Sequence, residues 1–299
     1  MSRVRQPRAI LIAGPTASGK SALALQLACE RDGVVVNADS MQVYRELPIL
    51  TAQPSAKDTA RVSHRLYGHV AASEPYSAAR WVEDAAAAIS EAGAAGRLPI
   101  IVGGTGLYFK VLLEGLSPVP PIPAEVRQHW RRIAAEHAAA GRTTALHGEL
   151  HIRDPQMAAR LPAMDTQRVT RALEVIDATG RSLAEWQAMP GARVLDPAEC
   201  ERLVVVLPRE ALHVRCDRRF DAMVAAGALD EVRALMGQRL SEDAPAMRAL
   251  GVAPLAAYIA GSITIEEASA RAKAETRQYV KRQQTWIKKH MMSWISCVT

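Results

Sequence analysis

The chain is 299 residues long, 49% hydrophobic and 23% charged, an ordinary globular composition that excludes disordered, collagen-like and disulfide-scaffold proteins. Lys and Arg outnumber Asp and Glu by 37 to 31, a net charge of +6, and a basic excess in a chain of this size points to a polyanionic partner. The excess is concentrated, because residues 271–290 hold seven Lys and Arg against Glu275 alone. Cys29, Cys200, Cys216 and Cys297 form no CxxC pair and no zinc spacing, so they read as scattered reduced thiols. The apolar part of the first fourteen residues is too short for a signal peptide, and no stretch approaches the roughly 20 apolar residues that span a bilayer. The expectation is a cytoplasmic protein with no membrane partner. At roughly 150 residues per domain, the length suggests two domains or one core with an insertion.

Residues 9–14 (AILIAG) are a short apolar run ended by Gly-Pro, a buried strand, and SALALQLACE at 21–30 has helical spacing. Two more such runs, VVVNAD at 34–39 and PIIVGG at 99–104, are separated by the alanine-rich, helix-like stretch 78–95. Apolar strands alternating with helices predict an α/β fold, a parallel, doubly wound sheet flanked by helices. LSPVPPIP at 116–123 contains four prolines, continues neither element type and reads as a linker. Residues 124–187 are helical in pattern and rich in Arg, His and Ala, with no strand-like run. RLVVVLP at 202–208 returns to the sheet, and mostly helices follow. The expected organisation is a discontinuous core, residues 1–116 with 201–299, interrupted by an all-helical insertion at 117–200.

The sharpest motif is Gly14-Pro15-Thr16-Ala17-Ser18-Gly19-Lys20-Ser21, a complete GxxxxGK[ST] between a predicted strand and a predicted helix. Its backbone N–H groups suit a di- or triphosphate, Lys20 would neutralise phosphoryl oxygens, and Ser21 would ligate Mg²⁺. The motif reports phosphate, not which phosphate compound. Asp39, ending the second predicted strand, projects over the same sheet edge as a general base, a magnesium ligand or a turn cap. Thr105, in Gly103-Gly104-Thr105-Gly106, follows the third strand at that edge. His147 and His151 in HGELH share a helix face without the zincin order, so no metal is assigned to them. Arg168 and Arg171 lie on neighbouring helix faces, and the tail TRQYVKRQQTWIKKH mixes basic residues with Tyr279 and Trp286, a mix suited to phosphate contact and base stacking.

Taken in order, GPTASGKS, DSMQVY (39–44), GGTGLYFKVLLEGLSP (103–118), DPQMAARL (154–161), QRVTRALEV (167–175), RRFDAMVAAGALDEVRAL (218–235) and RQYVKRQQTW (277–286) resemble the tRNA dimethylallyltransferase family over nearly the whole chain. The resemblance implies a P-loop NTPase-like core and transfer of a dimethylallyl group from dimethylallyl diphosphate to N6 of adenosine 37 in tRNAs with an A36-A37-A38 run, releasing diphosphate with Mg²⁺. It implies Asp39 as general base, Arg219 beside the leaving diphosphate, and Thr105 near the adenosine. The tRNA anticodon stem-loop would be gripped by the helical insertion, with contacts from Asp39, Ser40, Met41, Gln42, Thr105, Arg127, Gln167, Arg168, Val169, Thr170, Arg171, Lys281 and Arg282. The protein is expected to act as a monomer. Two segments depart from the family: Leu50-Thr51-Ala52-Gln53-Pro54 stands where it reads GTAKP, and residues 249–254 (ALGVAP) where it reads AIGYRQ. The competing readings are a small-molecule or nucleotide kinase, which wants a second-metal acid and a nucleobase site, and a non-catalytic RNA-binding module, which would not need the phosphate loop.

Overall fold

The computed structural model describes residues 7–241 and 244–298. It divides the chain into two compact units, Met1–Leu113 with Val194–Thr299, and Glu114–Arg193; the sequence pattern had put these divisions at 116/117 and 200/201. In chain order the elements are β1 (Ala9–Ala13), α1 (Lys20–Glu30), β2 (Gly33–Asn37), α2 (Ala56–Arg61), β3 (His64–Arg65), α3 (Ala78–Ala94), β4 (Leu98–Gly103) and α4 (Gly106–Glu114). The second unit follows with α5 (Ala124–Ala139), α6 (Ala145–Arg153), α7 (Pro155–Ala158), α8 (Thr166–Thr179) and α9 (Leu183–Ala188). The chain then returns through β5 (Cys200–Val206), α10 (Arg209–Ala225), α11 (Ala228–Gly237), α12 (Val252–Ile259), α13 (Ile265–His290) and β6 (Ile295–Val298).

The six strands among the described residues form one sheet of order β3-β2-β4-β1-β5-β6, with every pairing parallel. β1 and β2 are buried along their whole length, which is why their sequences are unbroken apolar runs rather than alternating ones. The fold is therefore the expected α/β sheet flanked by helices. β4 and β5 each begin and end one or two residues earlier than the runs 99–104 and 202–208, β3 follows no apolar run, and two further differences have a clear physical reason. β2 stops at Asn37, two residues before Asp39, because the Asn37 side chain takes over the backbone's partners: Nδ2 donates to the carbonyls of Asp39 (2.9 Å) and Leu66 (3.0 Å), and Oδ1 accepts from the Asp39 N–H (2.8 Å). β6, unanticipated after the helical tail, is an edge strand whose Ile295 and Val298 are exposed, so no continuous buried run announced it.

In a parallel sheet all strand C-termini lie on one edge, and with β4 between β1 and β2 three loops gather there: 14–20 after β1, 38–42 after β2 and 104–106 after β4. A separate core packs Val43, Tyr44, Leu47 and Leu50 against Phe220, Val232, Leu255, Ala268 and Ala272, fixing α10 to α13 over this edge. The second unit has its own core of Trp130, Leu146, Leu150, Val169 and Leu173. There, buried Asp154 accepts from the Ser182 hydroxyl at 2.9 Å and from the Met157 N–H at 3.0 Å, so its charge is hydrogen-bonded rather than stranded. His147 of α6 turns Nε2 to the carbonyls of Ala158 and Leu161, at 3.0 and 3.1 Å. No helix among the described residues is long and apolar enough to cross a membrane.

Candidate active site

The phosphate loop joins β1 to α1 with Ala17 (φ 63°) and Gly19 (φ 97°) in left-handed conformations. Gly19 is the α1 N-cap and makes no side-chain cap, so the first-turn N–H groups and the positive end of the helix dipole are left for an anion. Lys20 is only 9% exposed, its ammonium 3.4 Å from the Pro15 carbonyl. Burial pushes it down from 10.5 to about 8, against the pull of Asp39 and with the repulsion of Arg219 adding to the drop. Arg219 on α10 is likewise lowered by burial and drawn back by Asp39. Lys20 and Arg219, both lowered by burial and with Arg219 repelling Lys20, are poorly placed alone and well placed around a polyanion, whose charge compensates both.

Ser21 is exposed on the same first turn and borders a hollow of about 270 Å³ with Gln42, Asp58, His64 and Tyr67. Its hydroxyl fits a magnesium ion, a hard cation that takes few protein oxygens and completes its shell with phosphate oxygens and water. No group of three or more His, Cys, Asp or Glu is placed to hold a metal among the described residues.

Asp39 is half-buried. Its Oδ1 accepts from the Met41 N–H at 3.0 Å, which is the turn-cap role, while Oδ2 faces Gly104, where a Cβ would lie 3.5 Å from it. The carboxylate thus braces its own turn and keeps one oxygen toward the neighbouring loop. Thr105 ties the two loops together: its N–H donates to the Ala38 carbonyl at 3.2 Å and its Oγ1 accepts from the Ser40 N–H at 3.0 Å. A side chain on Gly103 would run into the Ala38 carbonyl, so glycine is required for this approach. Met41 and Gln42 continue the Asp39 turn, Gln42 donating to the carbonyls of Thr51 and Ala52 at 2.9 Å each.

Around the carboxylate stand Tyr67, Tyr108 and Tyr279, all pushed above the usual phenol value by burial first and by the charge of Asp39 second. They stay neutral and able to donate. Tyr108 stacks on Trp81 at 4.1 Å with 10° between the planes, and Trp81 donates to the Asn37 carbonyl at 2.9 Å. Lys281 and Arg282 are exposed on α13, Arg282 lying over the Tyr279 ring at 5.5 Å. Gln53, in the position of the family's lysine, donates to the Tyr44 carbonyl at 2.8 Å.

The structure thus gathers Gly14 to Ser21, Asp39 to Gln42, Thr105, Arg219 and the α13 residues in the first unit. Arg127, Gln167, Arg168 and Arg171 are exposed on the second unit, with Arg168 paired to Asp165 at 3.1 Å and Arg171 to Glu174 at 3.2 Å. Val169 and Thr170, by contrast, are buried, so their side chains serve that unit's core and not a surface contact. Five residues escaped the sequence reading: Tyr67 and Tyr108 beside the carboxylate; Asn37, which sets the Asp39 turn; Trp81, which backs Tyr108; and Gln283, which accepts from the Thr16 N–H at 2.9 Å and donates to the Gly104 carbonyl at 3.1 Å. The available signal for Gln283 was its helical i, i+4 spacing from Tyr279.

Lys20 gives the site a pH signature. Affinity for inorganic pyrophosphate is expected to fall as pH rises through about 8, because the ammonium is lost and with it the attraction to the anion. The Lys20→Arg variant, whose cation does not titrate in this range, is the control for pyrophosphate's own ionisation. Calorimetry from pH 6.5 to 9.5 checks this, and parallel pH profiles for wild type and variant contradict it.

The IPP transferase family model matches residues 42–290, and the isopentenyl transferase model matches residues 7–69. The tRNA dimethylallyltransferase of Azorhizobium caulinodans is 51% identical over 294 residues, covering 98% of this chain and 93% of that protein. That of Nitrobacter hamburgensis is 53% identical over 280 residues, covering 94% and 87%. Among solved structures, the full-length tRNA isopentenylpyrophosphate transferase of Bacillus halodurans aligns with a TM-score of 0.68 at 31% identity, over 98% of this chain and 90% of that one. A eukaryotic dimethylallyltransferase acting on tRNA aligns at 0.82 and 28% identity, over 97% and 73%. With a family model spanning most of its length and relatives at about half identity across it, the chain belongs to the IPP transferase family.

Proposed function

We propose that this protein transfers a dimethylallyl group from dimethylallyl diphosphate to N6 of adenosine 37 in tRNAs carrying A36-A37-A38, releasing diphosphate. The observation that carries the reading is that one sheet edge brings a phosphate loop with two desolvated cations, Lys20 and Arg219, into the electrostatic range of the Asp39 carboxylate. A leaving-group site adjoining a base is what prenyl transfer to an amine requires. Relatives of near full-length similarity named tRNA dimethylallyltransferase support it.

The adenosine N6 lone pair is delocalised into the purine, so it attacks poorly unless its proton is removed as the new bond forms. Asp39, through Oδ2, accepts that proton while the N6–carbon bond forms and the allylic C–O bond breaks. Negative charge then gathers on the departing diphosphate, where Lys20, Arg219 and the first-turn N–H groups of α1 receive it. Ser21 is the residue that would hold magnesium, and the ion, when bound, would supply Lewis-acid neutralisation of that charge. The neutral phenols of Tyr67, Tyr108 and Tyr279 exclude water from the base, and Thr105 holds the turn that carries it.

The adenosine must leave its stack to reach this edge. On this reading Lys281 and Arg282 meet the RNA backbone on the first unit, while the second unit grips the anticodon stem-loop through Arg127, Gln167, Arg168 and Arg171. On this reading the protein works in the cytoplasm as a monomer. The test is incubation of the purified protein with Mg²⁺, dimethylallyl diphosphate and a tRNA bearing A36-A37-A38, followed by digestion and mass spectrometry. N6-dimethylallyl adenosine is the expected product. Its absence, together with magnesium-dependent ATP turnover, overturns the reading in favour of a kinase.

A further inference from the structure

One side chain spans the donor side and the acceptor side of this site. Gln283 is 6% exposed and sits between two loops distant from it in sequence. It accepts from the Thr16 N–H in the phosphate loop at 2.9 Å and donates to the Gly104 carbonyl at 3.1 Å. Gly104 has no side chain, and a Cβ there would collide with the Gln283 amide, so loop and amide occupy complementary space. Tyr279, one helical turn earlier on the same face, places its phenol within reach of both the Gln283 amide and Thr105. Thr105 in turn holds the Ser40 N–H, next to Asp39. The path from the phosphate loop to the base therefore runs Thr16, Gln283, Gly104 and Thr105, Ser40, with hydrogen bonds or single peptide steps throughout.

The amide is suited to this as few groups are, since it offers an acceptor and a donor on one planar group. Leucine offers neither, and an ionised glutamate only acceptors. Docking of α13 does not depend on it, because Ala268, Ala272 and Val280 of the same helix are buried in apolar clusters with other elements. Gln283 spends both polar ends on backbone groups of the two loops, and so acts through them.

We propose that Gln283 is a positioning residue that couples the two substrates: a diphosphate seated on residues 14–21 sets the Gly104–Thr105 loop and the Asp39 turn for the adenosine, and the adenosine does the reverse. This deepens the function proposed above and rests on it. Because coupling between sites is reciprocal, it is measurable from either side.

The experiment uses the full-length chain. Affinity for an anticodon stem-loop RNA with A36-A37-A38 is measured with and without saturating magnesium pyrophosphate, beside kcat and KM for prenyl transfer and a thermal melt. Wild type is expected to bind the RNA about tenfold tighter with pyrophosphate present. In Gln283→Leu that ratio falls to near one, and kcat drops on the order of 10–100-fold with each KM little changed, the mark of misplacement rather than lost binding. Should the leucine variant fail to fold, Gln283→Glu decides, since it keeps an acceptor for Thr16 and loses the donation to Gly104. A folded variant with the wild-type ratio and kcat overturns this inference alone, as does a wild type that makes product without any coupling. No product from the wild type overturns the functional reading and this inference with it.

Discussion

Asp39→Asn is expected to lower the rate of prenyl transfer by about 10²–10⁴-fold while leaving the fold and both substrate affinities close to wild type. The substitution separates the two things this carboxylate does. Its structural role is to accept the Met41 N–H through Oδ1, and an asparagine carbonyl accepts that bond equally well. The bonds from Asn37 that shape the turn go to the Asp39 backbone and are untouched. What the variant lacks is a group that can take a proton at neutral pH, since an amide oxygen is far too weak a base. Single-turnover kinetics at saturating dimethylallyl diphosphate and tRNA give the chemical step free of binding, and a melt checks the fold. A variant with the wild-type single-turnover rate would reduce Asp39 to a turn cap and send the search for the base to another residue.

How much of this was readable in the sequence follows from how local each feature is. The phosphate loop is eight contiguous residues whose roles are carried mainly by backbone, so glycine placement and the flanking strand and helix announce it. β1, β2 and β4 are covered on both faces, which forces continuous apolar runs and makes them visible. β6 is an edge strand with exposed Ile295 and Val298, and nothing compels such a strand to look apolar. The end of β2 was misplaced by two residues because a side chain, that of Asn37, substitutes for ladder bonds. Val169 and Thr170 show the cost of transferring a segment whole. Helical periodicity turns Val169 with Ala172 and Leu173 away from exposed Arg168 and Arg171, so the residues of QRVTR divide between core and surface. Gln283 left no more than its spacing from Tyr279 for a different reason: its partners are 267 and 179 residues away, and only the folded chain brings them to one amide.

Lys20→Met is expected to do two opposite things, lowering kcat/KM by about 10²–10³-fold while raising the melting temperature of the protein without ligand at pH 7. The loss follows from removing a preorganised cation where the leaving diphosphate gains charge. The gain follows from burial: a lysine lowered to about 8 from 10.5 is held by the native state less willingly in its charged form than by the unfolded chain. The sign is fixed by proton binding. Below about pH 8 both states carry the proton and the native state bears the full cost of the buried charge. Between about 8 and 10.5 the unfolded chain keeps its proton and the native protein does not, so raising the pH relieves the cost. Methionine, of similar length and without charge, bears none of it at any pH. The stability advantage of the variant is therefore expected to be largest near pH 7 and to shrink as pH rises through 8 toward 10.5, which melts at stepped pH measure directly. Saturating pyrophosphate should reverse the order at pH 7, because an anion that binds the native state stabilises wild type by mass action and finds one cation fewer in the variant. An advantage that persists above pH 10 would trace the gain to packing rather than to charge, and a variant no more stable than wild type at pH 7 would mean that Asp39 compensates the ammonium fully in the folded protein. The site's cost in stability would then lie with Arg219, which cannot shed its proton.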